Sequence, residues 1–516
     1  MTDTPFPTST LTHDRASARP SGPCLRDADR TLTNEEFDAA VTAAAAQLTQ
    51  RGVAAGDTVA VMLPNCVELV VTMFAAWAVG AALTPVNPAL TDDEALYQVQ
   101  DSTSVVIVGD HRAAQLAATA GVQHLDVTAV GRSQARTSSP DPSGSSAAAP
   151  EDFALIIYTS GTTGRPKGVL LDHANLTSMT DSLIQALALT GNDVSLLILP
   201  LFHVNGLVVS VLSTMRAGGS VVIAPKFSIE SFWDLVEQHR PTFFSAVPTI
   251  YALLETRTTR PVDTSSLRFA ICGAAPMPVD LIDRIEQRFG VPVIEGYGLS
   301  ESTVAATLNP LTGPRRPGTV GPPLPGQQVA IQAPDGSPAP AGHRGEVVIR
   351  GANVMRGYLG RPEATAMTVR DGWLHTGDVG FLDDAGYLVL VDRMKDMIIR
   401  GGENIYPKEI EDVLYTHPSV LEAAVVGEPD PLMGEVPVGY VALRAGMHTT
   451  VDELTTLCRQ SLARYKQPRQ IRILPGLPKN SVGKLVKGLL RTGANPSQST
   501  QPKDHPGARA EESARS

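Results

Sequence analysis

Residues 158–169, with the sequence YTSGTTGRPKGV, combine hydroxyl side chains, three glycines and one lysine directly after an apolar run. Small residues let a backbone approach phosphate oxygens, amides and hydroxyls donate hydrogen bonds to them, and Lys167 adds positive charge. The common nucleotide P-loop has Ser or Thr after its lysine, whereas Gly168 follows Lys167 here. The segment predicts a phosphate-binding loop of another type. The five residues SGTTG taken alone are equally consistent with a flexible loop.

Further segments carry residue types that suit nucleotide and acid chemistry. The carboxylate of Glu301 suits Mg²⁺, and the neighbouring Ser300 has a hydroxyl for phosphate. Tyr297 offers a flat face to a base, and Asp378 offers two acceptor oxygens to the vicinal hydroxyls of a ribose. These segments are residues 199–206 (LPLFHVNG), 272–276 (CGAAP), 295–302 (EGYGLSES), 375–380 (HTGDVG), 392–407 (DRMKDMIIRGGENIYP) and 478–484 (PKNSVGK).

Each of these signals, taken singly, has a structural alternative. Glu301 is also typical of a helix N-terminus capped by Ser300, and an isolated TGD is usually a turn. Lys484 also fits a solvated surface charge, and His203 fits a hydrogen-bonded core histidine. The order and spacing of all the segments favour the functional interpretation, because chance does not produce such a series.

Together these segments resemble the signatures of the adenylate-forming superfamily, which includes acyl-CoA synthetases, the adenylation domains of peptide synthetases, and luciferases. The resemblance covers roughly residues 31–491. The LPLFHVNGL and GGENIYPKEIE runs are more similar to coumarate, oxalate and medium-chain acyl-CoA ligases than to peptide-synthetase domains. The resemblance implies an acid-thiol ligase that forms acyl-AMP and pyrophosphate from a carboxylic acid and Mg-ATP, and then transfers the acyl group to coenzyme A. Alternative acceptors are a carrier-protein thiol, an amine or another small nucleophile.

The resemblance also implies roles for individual residues. It assigns Lys484, His203 and Glu301 as catalytic residues, with Lys484 acting in adenylation and His203 lining the acid pocket. Mg²⁺ is assigned to Glu301 and Thr162. The residues implied to bind ATP or coenzyme A are Thr159, Ser160, Gly161, Thr162, Thr163, Gly164, Lys167, Gly273, Ala274, Ala275, Glu295, Gly296, Tyr297, Ser300, Asp378, Arg393, Lys395, Gly401 and Gly402.

Three assignments within that set concern the C-terminal part of the chain. Arg393 resembles a second ribose contact, and Lys395 resembles the hinge about which a small domain rotates between the two half-reactions. Gly401 and Gly402 resemble the loop that leaves a tunnel for pantetheine, because absent side chains leave space. Basic residues of the small domain are candidates for binding the phosphates of coenzyme A; they are Arg400, Lys408, Arg464, Lys466 and Arg469.

The acid pocket is predicted from residues 203–208, 244–247 and 296–302. Val204, Asn205 and Val208 are expected near His203, and Asn205 is a polar residue that can hydrogen-bond the acid. Residues 203–208 and 296–302 contain mostly small or apolar side chains and no arginine or lysine for a second carboxylate. The sequence therefore predicts a monocarboxylic acid with an apolar or aromatic body.

Alternating helices and strands must position these residues. A helical pattern at 34–51, a strand at 58–63 and a strand at 82–86 indicate an α/β layered sheet. The longest apolar stretch, residues 69–83, is too short to span a bilayer and predicts a buried core helix. Apolar runs predict strands covered on both faces, and later segments predict a β-rich portion. The predicted strands are 153–158, 195–199, 220–223, 243–247, 269–272 and 291–295, and in the β-rich portion 328–331 and 345–350.

Length and composition indicate how many domains the chain has and whether it can form large cores. The 516 residues predict at least two domains, and 43% hydrophobic residues supply large cores. The fold class is α/β: a large N-terminal domain of layered α/β sheets with a β-rich portion at 21–394, then a smaller, mobile α+β lid at 395–492. Residues 1–20 and 493–516 are predicted to be disordered, and residues 131–150 to form a surface linker.

Charge and cysteine content narrow the partners and the compartment. A net charge of -11 argues against a nucleic-acid partner and favours small molecules. The resemblance implies that these are a small carboxylic acid, ATP and coenzyme A. No membrane span is predicted, and a homodimer is compatible with the resemblance. Four dispersed cysteines without a C-x-x-C pair, and no secretory signal at the N-terminus, indicate the cytoplasm.

Overall fold

The apolar runs of the sequence form the inner strands of the sheets, as expected for strands that are covered on both faces. The computed structural model describes residue 8 and residues 10–132, 149–159, 165–275, 277–479 and 485–491. Within those residues the chain divides into two compact units, the first extending to Lys395 and the second beginning at Asp396. The boundary expected between residues 394 and 395 lies one residue before this junction.

The first unit contains twenty strands and eleven α-helices among the described residues. Its strands are β1 (Pro23–Arg26), β2 (Thr31–Thr33), β3 (Thr58–Met62), β4 (Ala82–Pro85), β5 (Ser104–Gly109), β6 (Gln123–Asp126), β7 (Phe153–Thr159), β8 (Lys167–Asp172), β9 (Val194–Leu197), β10 (Ser220–Ile223), β11 (Phe243–Ala246), β12 (Phe269–Cys272), β13 (Val293–Tyr297), β14 (Thr307–Leu308), β15 (Gln328–Gln332), β16 (Gly345–Arg350), β17 (Gly357–Tyr358), β18 (Val369–Arg370), β19 (Trp373–Leu382) and β20 (Leu388–Arg393). Its helices are α1 (Leu11–Ala18), α2 (Asn34–Gln50), α3 (Val67–Ala78), α4 (Asp92–Asp101), α5 (His111–Ala120), α6 (His173–Leu187), α7 (Ser213–Arg216), α8 (Ile229–His239), α9 (Pro248–Arg257), α10 (Val279–Phe289) and α11 (Pro362–Thr368).

Three sheets organise the first unit. One has seven strands in the order β17-β8-β7-β4-β3-β5-β6, and a second has eight in the order β14-β13-β12-β11-β9-β10-β1-β2. The third is an antiparallel sheet of β15, β16, β18, β19 and β20. The prediction of layered α/β sheets with a β-rich portion is confirmed.

The eight-stranded sheet contains a topological switch point. The chain passes from β9 to β10 on one side, and then to β11, β12 and β13 on the other side. Strands β9 and β11 are parallel neighbours. Ligands of open α/β sheets bind outside the carboxyl ends of the strands at such a point. The segments that follow β9 and β11, which contain His203 and Val247, therefore lie where a ligand pocket is expected.

Local sequence explains the two helices that pack together over the N-terminal half. Helix α2 begins with a capping box, in which Thr33 and Glu36 exchange side-chain and backbone hydrogen bonds. Its Phe37 packs edge-on against Phe74 of α3, with ring centroids 5.4 Å apart. Residues 69–78 of the apolar stretch lie in α3, most of them buried, as predicted, and after Gly80 the chain enters β4. Among the helices of the described residues, none combines the length and apolar character that crossing a bilayer requires.

The second unit is a smaller α+β structure. Its strands are β21 (Ile398–Arg400), β22 (Glu403–Ile405), β23 (Val420–Asp430), β24 (Gly434–Leu443) and β25 (Gln470–Leu474), and its helices are α12 (Pro407–Tyr415), α13 (Val451–Ser461) and α14 (Lys487–Arg491). The sheet order is β22-β21-β24-β23, with β25 parallel to β24. Ile398, Ile410, Leu414 and Leu454 form part of its own buried core.

The expectation of disorder over residues 1–20 is wrong for Leu11–Ala18, which forms α1. Arg15 of this helix is only 2% exposed. Its guanidinium donates to Asn34 Oδ1 at 2.9 Å and to the carbonyls of Met215 at 2.5 Å and Gly219 at 2.8 Å. These three oxygens compensate the cost of burying the charge. Residues 493–516 and most of the predicted linker, 133–148, lie outside the described residues.

Candidate active site

The predicted phosphate-binding segment lies in a β-hairpin. Strands β7 and β8 pair antiparallel, with Thr159 opposite Lys167. The predicted residues between them, Ser160, Gly161, Thr162, Thr163 and Gly164, lie outside the described part of the chain. The sheet therefore holds the residues before and after the loop in register. The chain continues from the loop into a strand, not into a helix.

Two tyrosines hold the two ends of this segment. Tyr158 donates its hydroxyl to Asp101 Oδ2 at 2.9 Å, and Tyr97 donates to the carbonyl of Pro166 at 2.9 Å. The rings of Tyr97 and Tyr158 meet edge to face with centroids 6.3 Å apart. Burial, followed by the charge and hydrogen bond of Asp101, raises the pKa of Tyr158 well above its ordinary value, so this hydroxyl stays a donor. The role of Asp101 and Tyr97 was not predicted, because they lie 57 and 69 positions from the residues that they contact and carry no local signal.

Glu301 lies in a short 3₁₀ turn, Ser300–Ser302, that follows β13. Its carbonyl accepts the amide of Met355 at 2.9 Å, and its Oε1 accepts the hydroxyl of Tyr358 at 2.8 Å. Lys167 Nζ stands 4.7 Å above the centre of the Tyr358 ring. The structure therefore brings the predicted phosphate-binding lysine and the predicted metal carboxylate to one tyrosine. Tyr358 itself was not predicted as a site residue.

Backbone strain follows directly after this turn. Thr303 and Val304 have φ of 55° and 100°, a region that β-branched residues rarely adopt. Thr303 donates its hydroxyl to the carbonyl of Asn353 at 2.6 Å, and Asn353 donates its amide to the carbonyl of Ser302 at 3.2 Å. Such strain persists where the surroundings over-determine a conformation, typically at functional sites. These buried contacts fix the direction of the Glu301 turn.

The predicted ribose residues, Asp378 and Arg393, form a hydrogen-bonded group with Tyr297, which was predicted to contact the base. Tyr297 donates its hydroxyl to Asp378 Oδ2 at 2.6 Å, and Arg393 Nε lies 2.9 Å from Asp378 Oδ1. Strand pairing places Asp378 opposite Arg393. Each carboxylate oxygen retains a lone pair for a further donor, so the carboxylate can still accept two hydroxyls. Burial, followed by the charge of Asp378, raises the pKa of Tyr297 well above its ordinary value.

The remaining predicted nucleotide residues lie at the carboxyl ends of β12 and β13. Cys272 pairs with Glu295 across these strands, so Gly273 and Gly296 are neighbours in adjacent strand ends. A Cβ on Gly273 would have nothing closer than 3.9 Å, so space is open there. Ala274, which follows Gly273, has a left-handed φ of 67°. The predicted residues at these two strand ends are Gly273, Ala274, Ala275, Glu295, Gly296, Tyr297 and Ser300.

The acid-pocket residues follow β9 and enter a π-helical turn, Asn205–Leu212. Turns of this type are rare in proteins, and those that occur are often found at functional sites. His203 packs against Phe202, with ring centroids 4.7 Å apart, and its Nε2 is buried without a hydrogen-bond partner among the described residues. Burial lowers the pKa of His203 from its ordinary value to about 4, so the imidazole is neutral at pH 7. It is not the hydrogen-bonded core histidine of the structural alternative.

Asn205 lies next to the strand ends that carry the nucleotide residues. Its Nδ2 is 3.9 Å from the position of a Cβ on Gly273. Its Oδ1 is buried without a hydrogen-bond partner among the described residues, as is the hydroxyl of Ser245 on β11. Buried polar groups in folded proteins normally have partners. Unpaired neutral groups at a predicted pocket are therefore candidates to bind a ligand.

The second unit contains the glycines predicted to admit pantetheine. Gly401 and Gly402 are the two turn residues between β21 and β22, with φ of 59° and 89°. A hairpin turn with both central φ angles positive requires residues such as glycine. A Cβ on Gly402 would meet nothing within 4 Å, whereas one on Gly401 would lie 2.8 Å from Cε of Met433. Turn geometry by itself explains both glycines, and Gly402 also leaves open space.

A basic pocket lies in the same unit. It is lined by Arg400, Thr455, Arg459, Arg464, Gln467, Pro468 and Arg469. Arg400 donates to the carbonyl of Tyr465 at 2.8 Å, and its Nε is buried without a partner among the described residues. Neither Arg459 nor Arg464 has a carboxylate partner in the described chain.

The other basic candidates of this unit form ion pairs. Lys408 lies 2.6 Å from Asp412 and Lys466 lies 2.5 Å from Glu409. Arg469 lines the pocket and also pairs with Asp430. Lys484 lies outside the described residues, and Lys395 is the last residue of the first unit.

The donor set fits Mg²⁺ as a partner of bound phosphates. Among the described residues no group of three or more His, Cys, Asp or Glu forms a metal site. Mg²⁺ is typically bound by one or two carboxylates together with substrate phosphates and waters. Glu301 supplies such a carboxylate, and its Oε1 already accepts the hydroxyl of Tyr358. A single oriented carboxylate is therefore sufficient for this ion.

Comparison with known proteins agrees with this geometry. Residues 12–359 match the family model described as AMP-binding enzyme, and residues 409–484 match that of the AMP-binding enzyme C-terminal domain. Feruloyl-CoA synthase from Amycolatopsis sp is 39% identical over 481 residues, covering 92% of this chain and 97% of that protein. Oxalate–CoA ligase from Arabidopsis thaliana is 36% identical, covering 89% of this chain and 93% of the ligase.

Solved structures show the same likeness. The o-succinylbenzoate CoA synthetase from Bacillus subtilis in complex with the acyl-adenylate intermediate OSB-AMP has a TM-score of 0.84 at 33% identity, over 93% of this chain and 98% of that one. The same synthetase in complex with ATP and a magnesium ion has a TM-score of 0.82 at 33% identity, over 94% of this chain and 98% of that one. The fold therefore accommodates both the nucleotide and the acyl-adenylate in a protein similar to this chain.

Proposed function

Since this chain belongs to the AMP-binding enzymes and is an AMP-forming acyl-CoA synthetase, we propose that its acid is an aromatic monocarboxylic acid with a neutral oxygen substituent, of the hydroxycinnamate type. The enzyme forms acyl-AMP and pyrophosphate from a carboxylic acid and Mg-ATP, and then transfers the acyl group to coenzyme A. Of the acceptors considered from the sequence, the similarity to CoA ligases supports coenzyme A.

The chemistry of the two steps follows from the charges involved. A carboxylate oxygen attacks the α-phosphorus, the bond from that phosphorus to the bridging oxygen breaks, and pyrophosphate leaves. The thiol of coenzyme A then attacks the acyl carbonyl, loses its proton, and displaces AMP, which retains the carboxylate oxygen. Because two anions meet in the first step, fixed positive charge must stabilise the transition state. When bound, Mg²⁺ supplies part of that charge.

We assign the nucleotide-binding roles by the contacts of the first unit. Lys167, at the edge of the phosphate-binding hairpin, binds phosphate, and Glu301 binds Mg²⁺ together with Thr162. Asp378 accepts the ribose hydroxyls, with Arg393 and Tyr297 holding its carboxylate at 2.9 Å and 2.6 Å. The adenine occupies the space left open beside Gly273.

The proposal for the acid rests on the absence of fixed positive charge from the pocket segments. Residues 203–208, 244–247 and 296–302 contain no arginine or lysine, and His203 is neutral because burial lowers its pKa to about 4. A second carboxylate or a sulfonate would be left without a counter-ion there, which is costly in a buried pocket. This observation favours an acid like that named for feruloyl-CoA synthase over one like oxalate.

The neutral polar groups of the pocket support an oxygen substituent on the acid. Asn205 Oδ1, Ser245 Oγ and His203 Nε2 are buried without partners among the described residues. A substrate hydroxyl can donate to Asn205 Oδ1, and a hydroxyl or methoxy oxygen can accept from the Ser245 hydroxyl, whereas a purely aliphatic acid leaves these groups unpaired. A site built to hydrogen-bond a substrate hydroxyl rejects the analogue that lacks it.

An acid panel tests this proposal. With coenzyme A present, ferulate and 4-hydroxycinnamate should release pyrophosphate faster than cinnamate and octanoate, and much faster than oxalate or malonate. Asn205→Leu should lower kcat/KM for the hydroxylated acids by about tenfold, the scale of one hydrogen bond, and leave cinnamate nearly unchanged. Asn192→Leu, at an exposed position before β9, is the control. Oxalate as the best acid, or equal losses for cinnamate and ferulate, would contradict the proposal.

For the second half-reaction we assign coenzyme A to the second unit. The basic pocket offers guanidinium groups without carboxylate partners, which suit phosphate groups. Pantetheine is assigned to the turn at Gly401 and Gly402, where open space lies over Gly402. Lys395, next to the junction of the two units, is assigned as the hinge between half-reactions.

A comparison of the KM for coenzyme A with the KM for pantetheine tests whether the basic pocket binds the phosphates of coenzyme A. Arg464→Ala should raise the KM for coenzyme A by about tenfold and leave the KM for pantetheine unchanged, because pantetheine lacks the nucleotide phosphates. Arg444→Ala, which lies in the same unit but does not line the pocket, should change neither value. An equal rise with both acceptors would place the coenzyme phosphates elsewhere.

Three further proposals concern the cellular context. A reducing compartment, the cytoplasm, is supported by four free cysteines, of which Cys24, Cys272 and Cys458 are buried. The net charge of -11 supports the absence of a nucleic-acid partner. The homodimer stays a prediction, to be measured by light scattering.

A further inference from the structure

Tyr358 contacts two residues of the phosphate site, although it lies outside every segment with a recognisable signature. This residue lies in the two-residue strand β17, which pairs with β8 so that Tyr358 is opposite Val169. It is 9% exposed, and its amide donates to Thr365 Oγ1 at 2.9 Å. Its backbone is thus held by pairing with β8 and by a hydrogen bond to helix α11.

Two contacts make this tyrosine a bridge between the two charged groups of the phosphate site. Its hydroxyl donates to Glu301 Oε1 at 2.8 Å, and Lys167 Nζ lies 4.7 Å above its ring. The same segment also binds the Glu301 backbone, since the amide of Met355 donates to the Glu301 carbonyl at 2.9 Å. Residues 355–358 therefore contact both the Glu301 carboxylate and the backbone of the turn that contains Glu301.

We propose that Tyr358 is a positioning residue, which orients the Glu301 carboxylate for Mg²⁺ through its hydroxyl and places Lys167 over the phosphates through its ring. The inference rests on the proposed roles of Glu301 and Lys167. A hydroxyl that occupies Oε1 directs the other oxygen, Oε2, to the ion. Hydrogen bonds to a metal-binding carboxylate of this kind typically contribute 10- to 100-fold to metal affinity or activity.

The two contacts can be separated by two substitutions. Tyr358→Phe keeps the ring beneath Lys167 and removes only the hydroxyl on Glu301. Tyr358→Leu removes both. Tyr387 is a matched control in the same unit, because Arg316 lies 4.6 Å above its ring and its hydroxyl donates to a carbonyl, that of Pro314, at 2.7 Å. Tyr387→Phe therefore makes the same chemical change away from the site.

The experiment measures nucleotide binding by calorimetry, with a non-hydrolysable ATP analogue carrying a methylene group between the α- and β-phosphorus atoms. For each protein, the affinity with Mg²⁺ is divided by the affinity without it. Tyr358→Phe should lower this ratio by about tenfold and leave metal-free binding unchanged, and Tyr358→Leu should also weaken metal-free binding. Tyr387→Phe should match the wild type.

The outcomes distinguish the inference from the function on which it rests. A wild-type protein whose nucleotide binding is not strengthened by Mg²⁺ would overturn the assigned metal role of Glu301. A wild type with a clear Mg²⁺ effect that Tyr358→Phe retains in full would overturn the role of Tyr358 alone. Thermal unfolding of each variant, compared with Tyr387→Phe, separates a loss of folding from a loss of metal coupling.

Discussion

Replacing Glu301 by glutamine is expected to lower acid-dependent pyrophosphate release by about 10²-fold or more, the scale observed when one group that stabilises a transition state is removed. Glutamine has nearly the same shape, so Met355 and Tyr358 retain hydrogen-bond partners. The negative charge that holds Mg²⁺ is lost. The measurement is the pyrophosphate release rate as a function of free Mg²⁺ concentration.

The Mg²⁺ dependence distinguishes this explanation from a general loss of structure. In Glu301→Gln, the Mg²⁺ concentration that gives half the maximal rate should increase together with the loss of rate. Glu363→Gln changes an exposed glutamate of α11 and should leave both quantities unchanged. A Glu301→Gln enzyme with the Mg²⁺ response of the wild type would remove this carboxylate from the metal site.

Replacing Lys484 by alanine is expected to reduce the first half-reaction by about 10²-fold or more and to spare the second. The lysine is assigned to neutralise charge while the acid attacks the α-phosphate, a charge that no longer develops once acyl-AMP exists. Pyrophosphate release from ATP and acid reports the first step. Thioester formation from supplied acyl-AMP and coenzyme A reports the second.

The expected pattern for Lys484→Ala is a difference between two rates, so the variant contains its own control for folding. Lys226→Ala removes the charge of an exposed lysine and should leave both rates unchanged. Equal losses in both half-reactions for Lys484→Ala would contradict the assignment, as would a normal rate of pyrophosphate release.

The central sheets could be predicted from the sequence because their signal is local. Apolar runs such as Ser220–Ile223 and Phe269–Cys272 form strands with the predicted bounds, since strands covered on both faces need apolar side chains on both faces. The strand predicted at 345–350 also has its predicted bounds. The remaining predicted strands differ at one or both ends by one or two residues, where pairing rather than side-chain type decides the boundary.

The parts that could not be predicted depend on contacts between distant residues. Arg15 is buried because oxygens from positions 19 to 204 residues away accept its hydrogen bonds. Tyr358 belongs to the site because β17 pairs with β8, and β17 is only two residues long. Neither residue lies in a periodic apolar pattern. An arginine near the N-terminus is expected to be exposed, because arginines are rarely fully buried.

The candidate site also contains residues that could be predicted from the sequence and residues that could not. Asp378, Tyr297 and Arg393 were assigned from motifs, and the structure brings them within hydrogen-bonding distance. The hairpin that holds the phosphate-binding segment, and the strained residues Thr303 and Val304, follow from tertiary packing. Motifs therefore identified the groups that are assigned to the substrates, and the structure identifies those that orient them.

The most direct test of the central claim follows one oxygen atom. The enzyme is incubated with ATP, coenzyme A and ferulate labelled with ¹⁸O in both carboxylate oxygens, and the AMP product is analysed by mass spectrometry. Because the carboxylate attacks the α-phosphorus and the thiol later cleaves the bond from that oxygen to the acyl carbon, each AMP should carry a single ¹⁸O, together with one labelled feruloyl-CoA. Unlabelled AMP, or ADP and phosphate as the nucleotide products, would contradict an acyl-adenylate route.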